Sequence, residues 1–348
     1  MRLESLARTG YIWCSIFGWY NPGNNPLLPA DHRVGLAPLR NTANPDTKRL
    51  AHELIDVTGL LRHLHTLDFT PATKEDVLLV HHEKYVNRVE LESNHTGGDC
   101  GDGASPFGRG AYDIALHGLG AALSMLKAVV KGEVRNGYTL MHPPGHHAEP
   151  DTGRGQCMFN NGAISAEYAL RNLGMRKVAI VDVHVLTISV HQDRNFPADT
   201  GMAEHRGEGK GFGYNFNIPL LPGCGNGAYE YTLETLVLPA LWRYKPDLII
   251  VASGLDAGIM DPLARQSVTN KGFVSITKKL MRVADELGHG RLVYLQEGIH
   301  RIIETLAGVQ TLEVDPYEGF LDTQYGSALE PWQKKAIDRL VPHLDDIK

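Results

Sequence analysis

The sequence predicts an α/β fold: a single domain over residues 1–348, with a mostly parallel central sheet flanked by helices. Three observations carry this expectation. Helical and strand patterns alternate along the chain, three short apolar runs are continuous rather than alternating, and no linker, low-complexity tract or internal repeat interrupts the 348 residues. Alternating helix and strand is the pattern of α/β domains. Unbroken apolar runs suit central parallel strands covered on both faces.

Taken in chain order, residues 46–64 show helical spacing through Leu50, Leu54, Ile55, Val57, Leu60 and Leu61. "AYDIALHGLGAALSMLKAVVKG" (111–132) predicts a long, largely buried helix closed by Gly132. "GYTLM" (137–141) predicts a short strand that runs straight into "HPPGHHAEPDTGRGQCMFNN" (142–161). "GAISAEYALRNLG" (162–174) is a helix with a terminal glycine. The three apolar strands are "KVAIVDVH" (177–184), "DLIIVASG" (247–254) and "RLVYLQEG" (291–298), with helix-like segments at 227–242, 271–287 and 299–307.

Apolar residues make up 43%, an ordinary share for a soluble globular protein. A net charge of −6 without blocks of like charge argues against direct nucleic-acid binding. Cys14, Cys100, Cys157 and Cys224 are far apart and form no CxxC pair. Neither a disulfide framework nor a finger-type zinc site is expected, and the natural setting is a reducing compartment: the cytoplasm, or the nucleus in a eukaryotic cell. "YIWCSIFGWY" (11–20) is aromatic rather than leucine-rich and no small-residue cleavage site comes after it, so it is not read as a secretion signal. No run is read as long enough to cross a bilayer, so no membrane partner is expected. Oligomeric state is left open.

Each apolar strand ends in polar residues, and ligands in open parallel sheets gather at the carboxyl ends of strands. Residues two apart on a strand point the same way, so Asp182 and His184 can reach one metal ion together. Asp256, after the neighbouring run, would be a third ligand. Two carboxylates and one imidazole leave an open position for water, the pattern of a catalytic site. The set fits Zn²⁺ and would tolerate Fe²⁺ or Mn²⁺. Taken singly, Asp182-x-His184 could be a salt-bridge or capping pair, Asp256 a helix cap, and His146-His147 a surface turn. Their joint placement at successive strand ends is what points to function. With an activated water, His146 and His147 make sense as a proton acceptor and its partner. Pro143, Pro144 and Pro150 stiffen the loop that carries them.

At these residues the sequence resembles the class II histone deacetylase family, of the arginase/deacetylase fold, and in particular its bacterial-type members. The resemblance runs through "TGYIWCSIFGWYNPGN" (9–24), "PATKEDVLLVHHEKYVNRV" (71–89) and "GDGASPFGRGAYDIA" (101–115), and is strongest at 142–161. It resumes in "VLTISVHQDRNFPADTG" (185–201), "GEGKGFGYNFNIPLLPGCGNGAY" (207–229) and "PDLIIVASGLDAGIMDPLAR" (246–265). It implies zinc-dependent hydrolysis of an acetyl amide, in an acetylated lysine peptide or an acetylated polyamine. By the same resemblance His147 would be the general base and His146 its partner, while Asp182, His184 and Asp256 would hold the metal. Gly155, Gln156 and Phe159 would belong to the loop that walls the substrate tunnel, and Asp261 would support the ligands without joining them.

The chain departs from the family pattern at three places. Lys177 to His191 is one apolar run of 15 residues without the usual crossover. Adjacent parallel strands ordinarily need a connection of about a dozen residues, so either a strand has been lost or the region is irregular. At "YLQEGIHRIIETLAG" (294–308) the family places a tyrosine that polarises the substrate carbonyl. Without a gap, His300 takes that position; with a gap, the tyrosine loop is missing and 299–308 is the helix after it, the alignment preferred here. Finally, Gln156 stands where the family has a phenylalanine flanking the substrate chain. Three functions therefore compete: a zinc-dependent deacetylase, whether or not its activity is reduced; a catalytically impaired deacetylase-like domain that binds acylated ligands or partners; and a two-metal ureohydrolase, for which the chain offers too few Asp and His ligands.

Overall fold

Eight strands pair side by side, all parallel, in a computed structural model that describes residues 8–22, 44–181, 186–261, 263–296, 300–312 and 328–348. They are β1 (Gly10–Ile12), β2 (His65–Thr66), β5 (Gly137–Leu140), β6 (Val178–Val181), β7 (Leu186–Gln192), β8 (Asn215–Leu220), β9 (Leu248–Ser253) and β10 (Leu292–Gln296). Their order across the sheet is β2-β1-β5-β10-β9-β6-β7-β8. Two short strands, β3 (Gly98–Asp99) and β4 (Pro106–Phe107), form a separate antiparallel ribbon.

Side chains alternate across a strand, and here both faces are apolar. Tyr138, Leu140, Ile249, Val251, Leu292 and Tyr294 enter one core. Val178, Ile180, Leu248, Ile250, Val293 and Leu295 enter the other. The first core is closed by α1 (Asp46–Val57), by the helical stretch α6 (Asn226–Thr232) and α7 (Leu238–Tyr244), which one π turn at Leu233–Val237 joins, and by α8 (Asn270–Glu286) and α9 (His300–Ala307). The second is closed by α3 (Glu83–Asn94), which comes after the single turn α2 (Lys74–Val77), and by α4 (Ala111–Val130) and α5 (Asn161–Asn172). The expected single α/β domain with a mostly parallel sheet is what the chain forms.

Two expectations are revised. Helix α4 is long and apolar enough, by length and composition, to cross a membrane. Here that apolarity is spent inside the protein, because α4 packs against β1, β5, β10 and α5 and most of its residues are buried. The long run 177–191 does not cost the sheet a strand either. It divides into β6 and β7, parallel neighbours with Ala179 beside Leu186 and Ile180 beside Thr187. That register asks the chain to step back about 7 Å and sideways about 5 Å, which five Cα–Cα steps of about 3.8 Å can cover. The rule of a dozen residues assumes a helical crossover.

Strand register aligns the carboxyl ends. Leu140 lies beside Gln296, Gln296 beside Ser253, and Val181 beside Val251. The carboxyl ends of β5, β6, β9 and β10 therefore lie at one edge of the sheet.

Candidate active site

The loop from Met141 to Asn160 joins β5 to α5 and carries the paired histidines. Its last residues tie it to its own beginning. Asn160 caps α5 by accepting from the Ala163 N–H at 2.9 Å, and its Nδ2 donates to the Ala148 carbonyl at 3.0 Å. Its backbone N–H donates to His81 Nε2 at 2.9 Å, and Asn161 Nδ2 donates to the Pro143 carbonyl at 3.3 Å. Tyr85 Oη donates to the Met158 carbonyl at 2.8 Å. A Cβ on Gly145 would lie 2.4 Å from the Phe159 carbonyl oxygen, so only glycine permits this closure.

Within the loop, His146 Nε2 and His147 Nε2 are 2.8 Å apart, with their rings nearly perpendicular at 81°. Burial, and then the neighbouring His146, Arg154 and His191, hold the His147 imidazole well below the ordinary histidine value. It is neutral at pH 7, and a neutral imidazole keeps one nitrogen free to accept a proton. Gly155 supports the ring from below: it has a left-handed φ of 57°, and a Cβ there would lie 2.5 Å from His147 Cδ2. Phe196, 43% exposed, meets His147 edge-on with centroids 5.5 Å apart.

A second loop, between β3 and β4, holds the 155–156 backbone. Asp102 accepts from the Gly155 N–H at 2.8 Å and Ser105 Oγ from the Gln156 N–H at 2.8 Å. Gln156 itself is left-handed, at φ 67°, and its side-chain amide donates to the Ala104 carbonyl.

The expected site residues fall into three groups. His146, His147, Gly155 and Gln156 come together as one constellation. Phe159 does not line an opening: it is 1% exposed and packs among His81, Tyr85 and Tyr112, so its role is to hold the loop from inside, and its assignment to the tunnel wall is corrected. His300 begins α9 and is also turned inward. Its Nε2 lies 2.8 Å from Thr58 Oγ1, and its Nδ1 faces Glu304 at 3.6 Å. Those contacts serve helix packing. Tyr294 is committed too: its hydroxyl donates to Thr277 at 3.2 Å and its ring stacks on Tyr138.

Of the metal-ligand set, Asp256 comes after β9 at the same edge as the loop, where its carboxylate, after burial, helps push the Tyr229 phenol up. Asp182 and His184 come directly after β6 but lie outside the described residues. Among the described residues no three His, Cys, Asp or Glu side chains group around one point. Sequence reasoning missed His81, Asp102, Ser105, Arg154 and Phe196. Only Arg154 carried a local signal, as a charge set between two glycines; the others act across 40 or more residues.

Known proteins share this fold and domain. The histone deacetylase domain family matches residues 41–311. The histone deacetylase-like amidohydrolase of Pseudomonas aeruginosa is 37% identical over 362 aligned positions, covering 96% of this chain and 95% of that one. A probable deacetylase of Archaeoglobus fulgidus is 32% identical, over 80% of this chain and 82% of its own. The crystal structure of the HDA15 HD domain superposes with a TM-score of 0.80 at 22% identity, over 97% of this chain and 98% of that one.

Proposed function

The chain belongs to the histone deacetylase family, and from that premise we propose that it is a zinc-dependent deacetylase acting on acetyl-lysine in a peptide or on an acetylated polyamine. The observation that carries this reading is the His146–His147 pair, with Nε2 atoms 2.8 Å apart and the His147 imidazole held neutral by burial, at the carboxyl edge of a parallel sheet. Amide hydrolysis adds a water oxygen to the carbonyl carbon and breaks the C–N bond. One proton must leave the water and one must reach the departing amine. His147 is suited to take the first, because burial keeps its imidazole unprotonated. His146, 2.8 Å away, can share that proton and orient the ring.

Asp182, His184 and Asp256 would hold the metal. Their chemistry, two carboxylates and an imidazole, suits Zn²⁺ and accommodates Fe²⁺. Topology supports the grouping, since β6 and β9 are register neighbours and both ligand segments come after their carboxyl ends. When bound, such an ion supplies Lewis acidity that polarises the carbonyl and acidifies water.

We further propose that the chain is a class II member, with shortened connections after His184 and Gly298 and weak turnover. The support is that Tyr294 and His300, the two described candidates for a carbonyl donor near the end of β10, are engaged with Thr277 and with Thr58. Losing one such donor costs about 10²–10³ in rate. A reducing compartment, the cytoplasm or a eukaryotic nucleus, is proposed from the spacing of the four cysteines, which form no CxxC pair. The test is turnover of an acetyl-lysine peptide and of an acetylated polyamine by the zinc-loaded chain, with and without a tyrosine-bearing loop inserted after Gly298. We expect weak turnover that the insertion raises about 10²–10³-fold. Robust turnover unchanged by the insertion would remove the impairment, and no turnover from either chain would remove the hydrolase reading.

A further inference from the structure

Arg154 joins two segments that are far apart in sequence. Its Nη1 donates to Glu149 Oε1 at 2.8 Å, within the double-histidine loop. Its Nη2 donates to both carboxylate oxygens of Asp199, at 2.7 and 2.9 Å. Asp199 lies in the segment that leaves β7. That segment is fixed at one end where the Asp193 N–H donates to the Leu220 carbonyl at 2.8 Å. At the other, His191 Nε2 lies 2.8 Å from the Gly201 carbonyl. Between these anchors Phe196 reaches the His147 ring. Gly155, next to Arg154, lies against the same ring closely enough that a Cβ there would meet it at 2.5 Å. His147 is thus contacted by both segments, and the Arg154–Asp199 pair spans them.

We propose that Arg154 is a positioning residue for His147: through Asp199 it holds the segment carrying Phe196 against the imidazole and so fixes the ring for proton transfer. The inference rests on the reading of His147 as the general base. The pair is only partly shielded, with side chains 19% and 68% exposed. Its expected effect is therefore modest, about fivefold, the equivalent of about 1 kcal/mol.

The experiment uses the zinc-loaded full chain as wild type, R154Q, D199N, the double variant, the conservative R154K and D199E, and F196L as a reference. Two readouts need no turnover. One is amide hydrogen exchange across residues 194–200. The other is the His147 ring-proton resonance at pH 8, identified by its absence in H147Q and displaced by the ring current of Phe196. We expect R154Q and D199N to speed exchange about fivefold and to move the resonance toward its place in F196L. The double variant should go no further than either single one, and R154K and D199E should return the resonance toward wild type. With acetyl-lysine peptide, kcat should fall while KM stays unchanged, since ring orientation matters when the proton moves. An unmoved resonance, additive single effects, or a rise in KM at constant kcat would overturn the proposal. Failure of the wild-type chain to turn over substrate would instead retire the deacetylase reading, while exchange and resonance still decide whether Arg154 positions His147.

Discussion

Two connections leave the carboxyl edge of the same sheet and are built in opposite ways. Between β5 and α5 the chain uses residues 141–160, and the loop is tied down by Asn160, Asn161, Tyr85, Asp102 and Ser105. Between β6 and β7 it uses only residues 182–185. The long loop can hold a base through many separate weak ties, so each tie removed should have a graded effect. The strand that leads into the short connection takes its place from the register of β6 against β9, so it depends on the sheet itself.

That contrast is tested most severely at the chemistry. Asp256→Ala should take bound zinc from about one ion per chain to none and hydrolysis to background, because it removes one of the three protein ligands of an open catalytic site. His147→Gln should keep the metal and still lose about 10²–10⁴ in kcat, the usual size of a general-base contribution. Elemental analysis beside a rate assay separates the two. Full metal content in the Asp256 variant would show that the ligand set is misassigned.

Stability should respond in the graded way expected of a many-tied loop. Asn160→Ala removes the α5 cap and a buried bond to Ala148, at a cost of about 2–3 kcal/mol. A urea midpoint unchanged from wild type would mean that the loop does not depend on this tie.

His81, which accepts from the Asn160 N–H, makes the same loop sensitive to acid. Burial lowers its pKa to about 4 in the folded chain. Above about pH 6.5 it is neutral folded or unfolded; as pH falls toward 4, the unfolded chain takes up a proton that the folded one refuses. Stability is therefore present at neutral pH and lost on acidification, by up to about 3 kcal/mol between pH 6.5 and 4. His81→Gln should remove that much of the slope in urea denaturation across this window; parallel slopes would exclude His81 as the source.

The smallest expected effect is at Gln156. Its left-handed backbone makes alanine worse than glycine there by about 1 kcal/mol. Thermal denaturation of Gln156→Ala and Gln156→Gly should rank glycine higher.

Local periodicity is readable in the sequence and long-range geometry is not. Helix α4 and the apolar strands β6, β9 and β10 stand out because each is a continuous pattern within one segment. Residues 46–64 share one helical spacing, but Gly59 adopts a left-handed φ and α1 stops at Val57. His146 and His147 can be placed together because they are adjacent. Phe196 and Asp102 cannot, since each reaches the site by tertiary folding alone. Phe159 is misplaced by sequence for the same kind of reason: its loop is legible, but which of the loop's side chains turn inward is decided by His81, Tyr85 and Tyr112. The parallel pairing of β6 and β7 escapes sequence reasoning because the usual crossover length does not apply to it.

The position of β10 has a consequence for how the protein is made. The last strand among the described residues lies in the middle of the sheet, between β5 and β9. As the chain leaves the ribosome, β5 emerges long before its neighbour exists, and at about 5–20 residues per second its exposed edge waits roughly 10–30 seconds for β10. Through that interval the nascent chain presents an unpaired, apolar strand edge of the kind that templates wrong pairing. Chains ending before residue 292 would lack the strand that joins the β5 side of the sheet to the β9 side. Termination upstream of β10 would leave the β5 edge without this partner, and exposed apolar strand edges favour aggregation.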